Sequence, residues 1–194
     1  MNYTRRLVEI IALLGEKFLK EHLNPENFYR RFGVNIRVMR EDTLEALKFF
    51  LSRVLFQRRK DEISYRVYVK IKDILKSHKE NLTDLEKIKN ELNKQIGRGK
   101  IGRKMDVQIV IEMLRYFGER NIVAYAYDKI KAGEISMLFK EIQKICGVGD
   151  KTASLFIRDL IMIYRELLNV IKKENVRFIL PVDTWVRKGL KNSV

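Results

Sequence analysis

The stretch Ile142-Gln143-Lys144-Ile145-Cys146-Gly147-Val148-Gly149-Asp150-Lys151-Thr152-Ala153 decides how this chain is read. Leu138, Ile142 and Ile145 recur at helical spacing up to it. Ala153, Phe156, Ile157, Leu160, Ile161 and Tyr164 continue one apolar face beyond it. The pattern predicts two amphipathic helices joined by a tight turn, a helix-hairpin-helix over residues 135–165. Gly147 and Gly149 permit positive φ and leave room for another backbone to approach. Between them, Val148 is placed to plug the space between the two helices. The N–H groups of such a turn, with the N-terminus of the following helix, make an anion site that holds one phosphate without reading a base. Gly147, Val148 and Gly149 are therefore the first candidate DNA-binding residues.

Working outward, helical periodicity dominates the chain. It predicts helices over residues 3–22, 43–57, 61–78, 83–96, 105–117, 119–132 and 135–145, with a long one over 150–173. Residues 25–42 read as a short helix and loop, and Val176 to Leu180 as an extended run. A final helical piece opens at Asp183. The fold class is all-α, a multi-helix array. The run Gly97-Arg98-Gly99-Lys100-Ile101-Gly102-Arg103-Lys104 reads as a flexible basic loop, suited equally to a solvated linker or a phosphate contact.

The formal net charge is +15, from 40 Lys plus Arg against 25 Asp plus Glu, which points to a polyanionic partner, nucleic acid first. A thermophile-like surface crowded with both signs explains many of these charges but not the imbalance. Hydrophobic residues make up 46% of the chain, so it builds a core and is no basic tail. No apolar run is long enough to span a bilayer, and Glu9 interrupts any signal-like segment. A soluble, cytoplasmic, nucleoid-associated protein is expected. Cys146 is the only cysteine, which excludes an internal disulfide and a cysteine-ligated cluster or zinc site. His22 and His78 are isolated in charged helical contexts, which predicts surface positions and no metal site.

Lys151 falls in the first turn of the second hairpin helix. The helix dipole and nearby cations should favour its neutral amine, a nucleophile able to form a Schiff base with a sugar carbon. Asp150, as a cap of the same helix, would oppose that shift. From residue type alone, a phosphate contact is the simpler role for Lys151. Asp183 is either the N-cap of a helix beginning at Thr184 or a carboxylate beside a reacting sugar.

Together, Gly147-Val148-Gly149-Asp150-Lys151-Thr152-Ala153 and Pro181-Val182-Asp183-Thr184 resemble the helix-hairpin-helix DNA glycosylase superfamily, which includes endonuclease III and 8-oxoguanine DNA glycosylase. The resemblance is strong over residues 135–188 and architectural elsewhere. It implies two helical lobes, one over 43–150 and one formed by 1–42 with 151–194, in a single glycosylase-like unit. It implies that Lys151 is the Schiff-base nucleophile and Asp183 the catalytic carboxylate of a bifunctional glycosylase and AP lyase. The substrate would be double-stranded DNA carrying a damaged base or abasic site, engaged by a monomer. No redox cofactor or catalytic metal is implied, although a monovalent cation on the hairpin carbonyls is.

Leu51-Ser52-Arg53-Val54-Leu55-Phe56-Gln57 resembles the region where this family carries a wedge residue. Gln57 would fill the hole left by a flipped base, with Arg58, Arg59 and Lys60 against the backbone; as residue types alone these make an ordinary polar loop. The chain also departs from the family. Cys146 stands where proline is frequent, Trp185 stands where histidine is frequent, and the cluster cysteines are absent. The Lys-to-Asp interval is longer than in endonuclease III, a feature shared with some archaeal 8-oxoguanine glycosylases. The chain ends soon after Asp183, where relatives continue with further helices, so either the N-terminal helices replace them or this is a minimal, truncated or degenerate member. Pro181 and the missing cluster tilt the expected substrate toward an oxidised purine such as 8-oxoguanine. The alternative is a non-catalytic helix-hairpin-helix DNA-binding protein, which needs the same charge and hairpin.

Overall fold

Asn24 and Gly33 delimit the first described helix, α1 (Pro25–Phe32), in a computed structural model that describes residues 17, 20–56, 60–97, 100–118 and 120–179. The Asn24 side chain accepts from the N–H groups of Glu26 and Asn27, and Pro25 opens the helix where no N–H is needed. Asp42 caps α2 (Thr43–Val54) through the Glu45 N–H at 3.0 Å. Next come α3 (Asp61–Ser77), α4 (Leu85–Ile96), α5 (Lys104–Phe117), α6 (Ile122–Lys131), α7 (Ile135–Ile142) and α8 (Asp150–Ile163). Two 3-10 turns, Arg165–Val170 and Lys173–Asn175, lead into a last helical turn, α9 (Val176–Ile179). All regular structure among the described residues is helical, as the periodicity predicts. None of the described helices is long and apolar enough to cross a membrane.

Helix α2 is the hub. Ala46 to Ser52 are all buried, so nearly every side of it faces protein, as expected of a helix through the centre of a core. It packs against α1, α3, α6 and α8. Phe156 of α8 lies against both Phe49 and Phe50, with ring centroids 5.8 and 5.0 Å away, and Phe28 of α1 meets Phe49 at 5.5 Å. Replacing Phe156, which is completely buried, with alanine should cost ~3–5 kcal/mol in chemical denaturation, through lost transfer energy and an unfilled cavity. Helices α3, α4 and α5 pack in succession to one side of the hub. The buried Tyr68 hydroxyl ties α3 to α1 by donating to the Phe32 carbonyl at 2.9 Å. One hydrophobic cluster runs from Leu23 to Leu167, including residues on both sides of the sequence-based lobe boundaries.

The structure differs from the sequence reading at four places outside the turn before α8. The long helix over 150–173 ends at Ile163, where Tyr164 takes φ −99° and ψ 75° and the chain tightens into the 3-10 turns. That tightening buries Leu167 against the core. The run from Val176 is helical through Ile179, not extended. His78 is no free surface residue, since its Nε2 lies 2.8 Å from Glu91 Oε2 and joins the end of α3 to α4. Gly102 belongs to no slack linker: a Cβ there would stand 2.5 Å from the Ile96 carbonyl, so the loop before α5 is folded tightly onto the end of α4. Of the predicted helix over 3–22, Lys17 and residues 20–22 are described and fall in helix or its end, while the rest lies outside the described residues.

Candidate nucleic-acid interface

Helices α7 and α8 pack on each other across the turn at residues 143–149. Leu138, Ile142 and Ile145 are buried on one arm and Ala153, Phe156, Ile157 and Leu160 on the other. Val148 is 6% exposed and its N–H donates to the Ile145 carbonyl at 3.0 Å, so it acts as the pin between the arms. Gln143 bridges the base of the turn by donating to Asp150 Oδ1 at 2.6 Å. Gly149, not Asp150, is the N-cap of α8, and Asp150 is its first helical residue.

The two glycines have different physical reasons. Gly147 adopts φ +80°, and a Cβ there would lie 2.8 Å from Ile109 Cδ1 of α5. The protein's own geometry demands glycine at that position. Gly149 has φ −95° and ψ −179°, an extended conformation open to any residue, and a Cβ there would meet nothing within 4 Å. Nothing inside the described fold requires glycine at 149. The bare backbone faces open, exposed space. Among the described residues, the N–H groups of Gly147 and Gly149 donate no hydrogen bond.

Helix α5 holds the turn from behind. The Cys146 N–H donates to Glu112 Oε2 at 2.6 Å, and Gln108 donates to the other oxygen of the same carboxylate at 3.0 Å. Burial, reinforced by Glu112, pushes the Cys146 thiol up, which fits a structural cysteine and no thiolate nucleophile. The contact with α5 brings the loop before that helix beside the hairpin, with Met105 Sδ 3.6 Å from the Cβ position of Gly147. Lys100, Arg103 and Lys104 are exposed on that loop and helix start, and Lys144 and Lys151 on the hairpin. The nearby acids have partners: Glu112 accepts from the Cys146 N–H, Asp150 from Gln143, and Asp106 from the Arg103 N–H at 2.7 Å. The five cations are exposed on neighbouring parts of one surface, so their positive field is concentrated there.

Lys151 stands exposed in the first turn of α8. Asp183, Pro181, Val182 and Trp185 lie outside the described residues, as do Gln57, Arg58 and Arg59. Lys60 is described, exposed, at the N-cap of α3. The chain does come back to the hairpin before it leaves the described region. Helix α9 packs on α7 and α8, and Phe178 meets Phe139 of α7 at 5.2 Å. Among the described residues no group of three or more His, Cys, Asp or Glu is arranged to hold a metal ion. A depression of about 410 Å³ lies at the opposite end of α8, lined by Met162, Ile163, Arg165, Lys20 and Arg37. At 1.5 Å per residue the helix puts Ile163 about 18 Å from Lys151, so that depression is no part of the hairpin surface.

Two polar clusters escape the sequence reading. Asp159 of α8 is completely buried, accepts from Arg158 Nε and Nη2 at 2.9 and 2.7 Å, and lies 2.9 Å from Arg53 Nε of α2. The Arg53 guanidinium rests over the rings of Phe28 and Phe49. Burial lowers its proton affinity and Asp159 opposes that shift. The only sequence trace of this cluster is a charge at Arg53 and at Asp159 inside otherwise apolar segments. In the second cluster, Arg40 lies 3.8 Å above the Tyr127 ring and 5.7 Å from that of Tyr164, while the Tyr127 hydroxyl donates to Glu166. Burial pushes the Tyr164 phenol up to about 12, with Arg40 pulling the other way.

Comparison of the chain with protein-family models, with curated proteins and with solved structures returned no match.

Proposed function

We propose that this chain is a base-excision DNA glycosylase with AP-lyase activity. The observation that carries the DNA-binding half of this reading is Gly149, whose exposed backbone has no internal reason to be glycine and every reason to be if a phosphate approaches it. The exposed cations at 100, 103, 104, 144 and 151 supply the field around it. The exposed position of Lys151 at the edge of the hairpin, and the resemblance of its surroundings to the glycosylase signature, support the catalytic half.

In the proposed reaction the damaged nucleotide is extruded from the stack, at a cost of a few kcal/mol that is lower for a damaged pair. The Lys151 amine nitrogen attacks C1′ of the sugar. A C1′–N bond to lysine forms as the glycosidic C1′–N bond breaks, and the base departs with the electron pair and a proton. The sugar ring opens to give an imine. Loss of a C2′ proton then expels the 3′ phosphate by β-elimination, and water releases the lysine. Asp183 is proposed to accept the ammonium proton or to stabilise the developing positive charge on the sugar. Gln57 is proposed as the wedge, with Arg58, Arg59 and Lys60 on the backbone. The favoured substrate is an oxidised purine such as 8-oxoguanine.

A non-catalytic DNA-binding protein uses the same hairpin and the same cations, and differs only at Lys151. Salt tests what the two readings share. If about four of the five exposed cations meet phosphates, log K should fall with log salt at a slope of about −3.6 in a fluorescence-anisotropy titration of duplex DNA. A flat dependence would remove DNA from both.

A further inference from the structure

We infer that the buried Arg53–Asp159 pair is a positioning device that fixes the register of α8 on the central helix α2, and with it the direction of Lys151. Its kinetic part rests on the glycosylase reading; its structural part does not. Asp159 is fully buried, and the Arg53 side chain is 16% exposed. Arg53 Nε and Asp159 Oδ2 stand 2.9 Å apart, yet among the described residues neither atom has a well-aligned hydrogen bond. Such a pair bears the desolvation cost of two charges without the full return of good geometry, and is poorly suited to stabilising the fold. What it does supply is direction.

The α2–α8 contact also carries Phe156 against Phe49 and Phe50. Apolar faces tolerate sliding. A slide of one residue moves a helix 1.5 Å along its axis and turns it by about 100°. Lys151 lies two turns from Asp159 on the same helix, about 12 Å along it. A 1 Å misplacement of a reacting group can cost about a hundredfold in rate. Arg158 fits the same role. At 27% side-chain exposure it holds the other oxygen of Asp159 from the solvent side, so the carboxylate cannot rotate away from Arg53.

Two variants and two readouts test this. Arg53→Met with Asp159→Leu replaces the pair by apolar side chains; Asp159→Asn keeps the shape and the acceptor for Arg158 but removes the charge. One readout is the single-turnover rate of borohydride-trapped imine on an abasic duplex, with DNA affinity measured beside it. The other is amide hydrogen exchange over residues 150–155 in the free protein. The expected result for the double variant is a melting temperature equal to or above wild type, unchanged affinity, tenfold or slower trapping and faster exchange. Asp159→Asn should move rate and exchange in the same directions, and it decides the matter if the double variant does not fold. Wild-type rate and exchange in Asp159→Asn would overturn the inference and leave the glycosylase reading intact. If the wild-type protein traps nothing, the glycosylase reading falls, and exchange alone then decides: faster exchange in Asp159→Asn upholds the registration of α8, and unchanged exchange overturns it.

Discussion

Lys151→Ala should reduce borohydride trapping on an abasic duplex to background while leaving duplex affinity within about tenfold of wild type. Imine formation requires a primary amine and alanine supplies none, so the pathway through residue 151 is lost. The loss in binding should be small because one phosphate contact contributes little more than its share of the salt dependence. The fold should be indifferent, since Lys151 is exposed and alanine is the better helix former at that position. Trapping and affinity measured on the same preparation separate a nucleophile from a phosphate contact. A Lys151→Ala protein that still traps at the wild-type rate assigns the nucleophile elsewhere.

Gly149→Asp should move stability and DNA binding in opposite directions. Position 149 is the N-cap of α8, it carries no side-chain cap, and its backbone conformation suits any residue. Aspartate is among the best N-caps, and its carboxylate accepts from the N–H groups of the first turn, so stability should rise by roughly a few tenths of a kcal/mol. The same carboxylate would occupy the anion site and meet an incoming phosphate with like charge, a juxtaposition that costs several kcal/mol. Duplex affinity should fall about a hundredfold. Few hairpin substitutions stabilise a protein while abolishing its ligand, and a general loss of fold cannot mimic that signature. If affinity is unchanged, the open face at Gly149 is not where DNA sits.

The hairpin was legible because its signals are local. Leu138, Ile142 and Ile145 repeat at helical spacing, two glycines interrupt the pattern, and the face resumes at Ala153; the arms and the buried Val148 follow directly. The end of α8 was not legible. Leu167, Leu168, Val170 and Ile171 continue a dense apolar pattern past Tyr164, and only the packing of the 3-10 segment on α6 and α8 makes the chain tighten there. The difference between Gly147 and Gly149 was equally hidden, because Ile109 approaches from a distant part of the sequence. So was the pairing of Arg53 with Asp159, since no sequence spacing connects α2 to α8. Long-range approach, not local propensity, sets all three. The two helices and the turn between them were therefore readable, and their role as a DNA-binding motif stands as a proposal. Asp183 and Gln57 lie outside the described residues, and their roles stand as proposals carried by the resemblance.

The central claim is that one lysine beside a phosphate-gripping hairpin performs covalent chemistry on DNA. Its most direct test is to incubate the wild-type protein with a duplex carrying 8-oxoguanine, reduce with borohydride, and map the adduct by peptide mass spectrometry. The expected result is a covalent complex with the adduct on Lys151. An adduct on another residue, or tight, salt-sensitive binding with no adduct on either the 8-oxoguanine or the abasic duplex, would contradict it and leave a non-catalytic DNA-binding hairpin or a different nucleophile in its place.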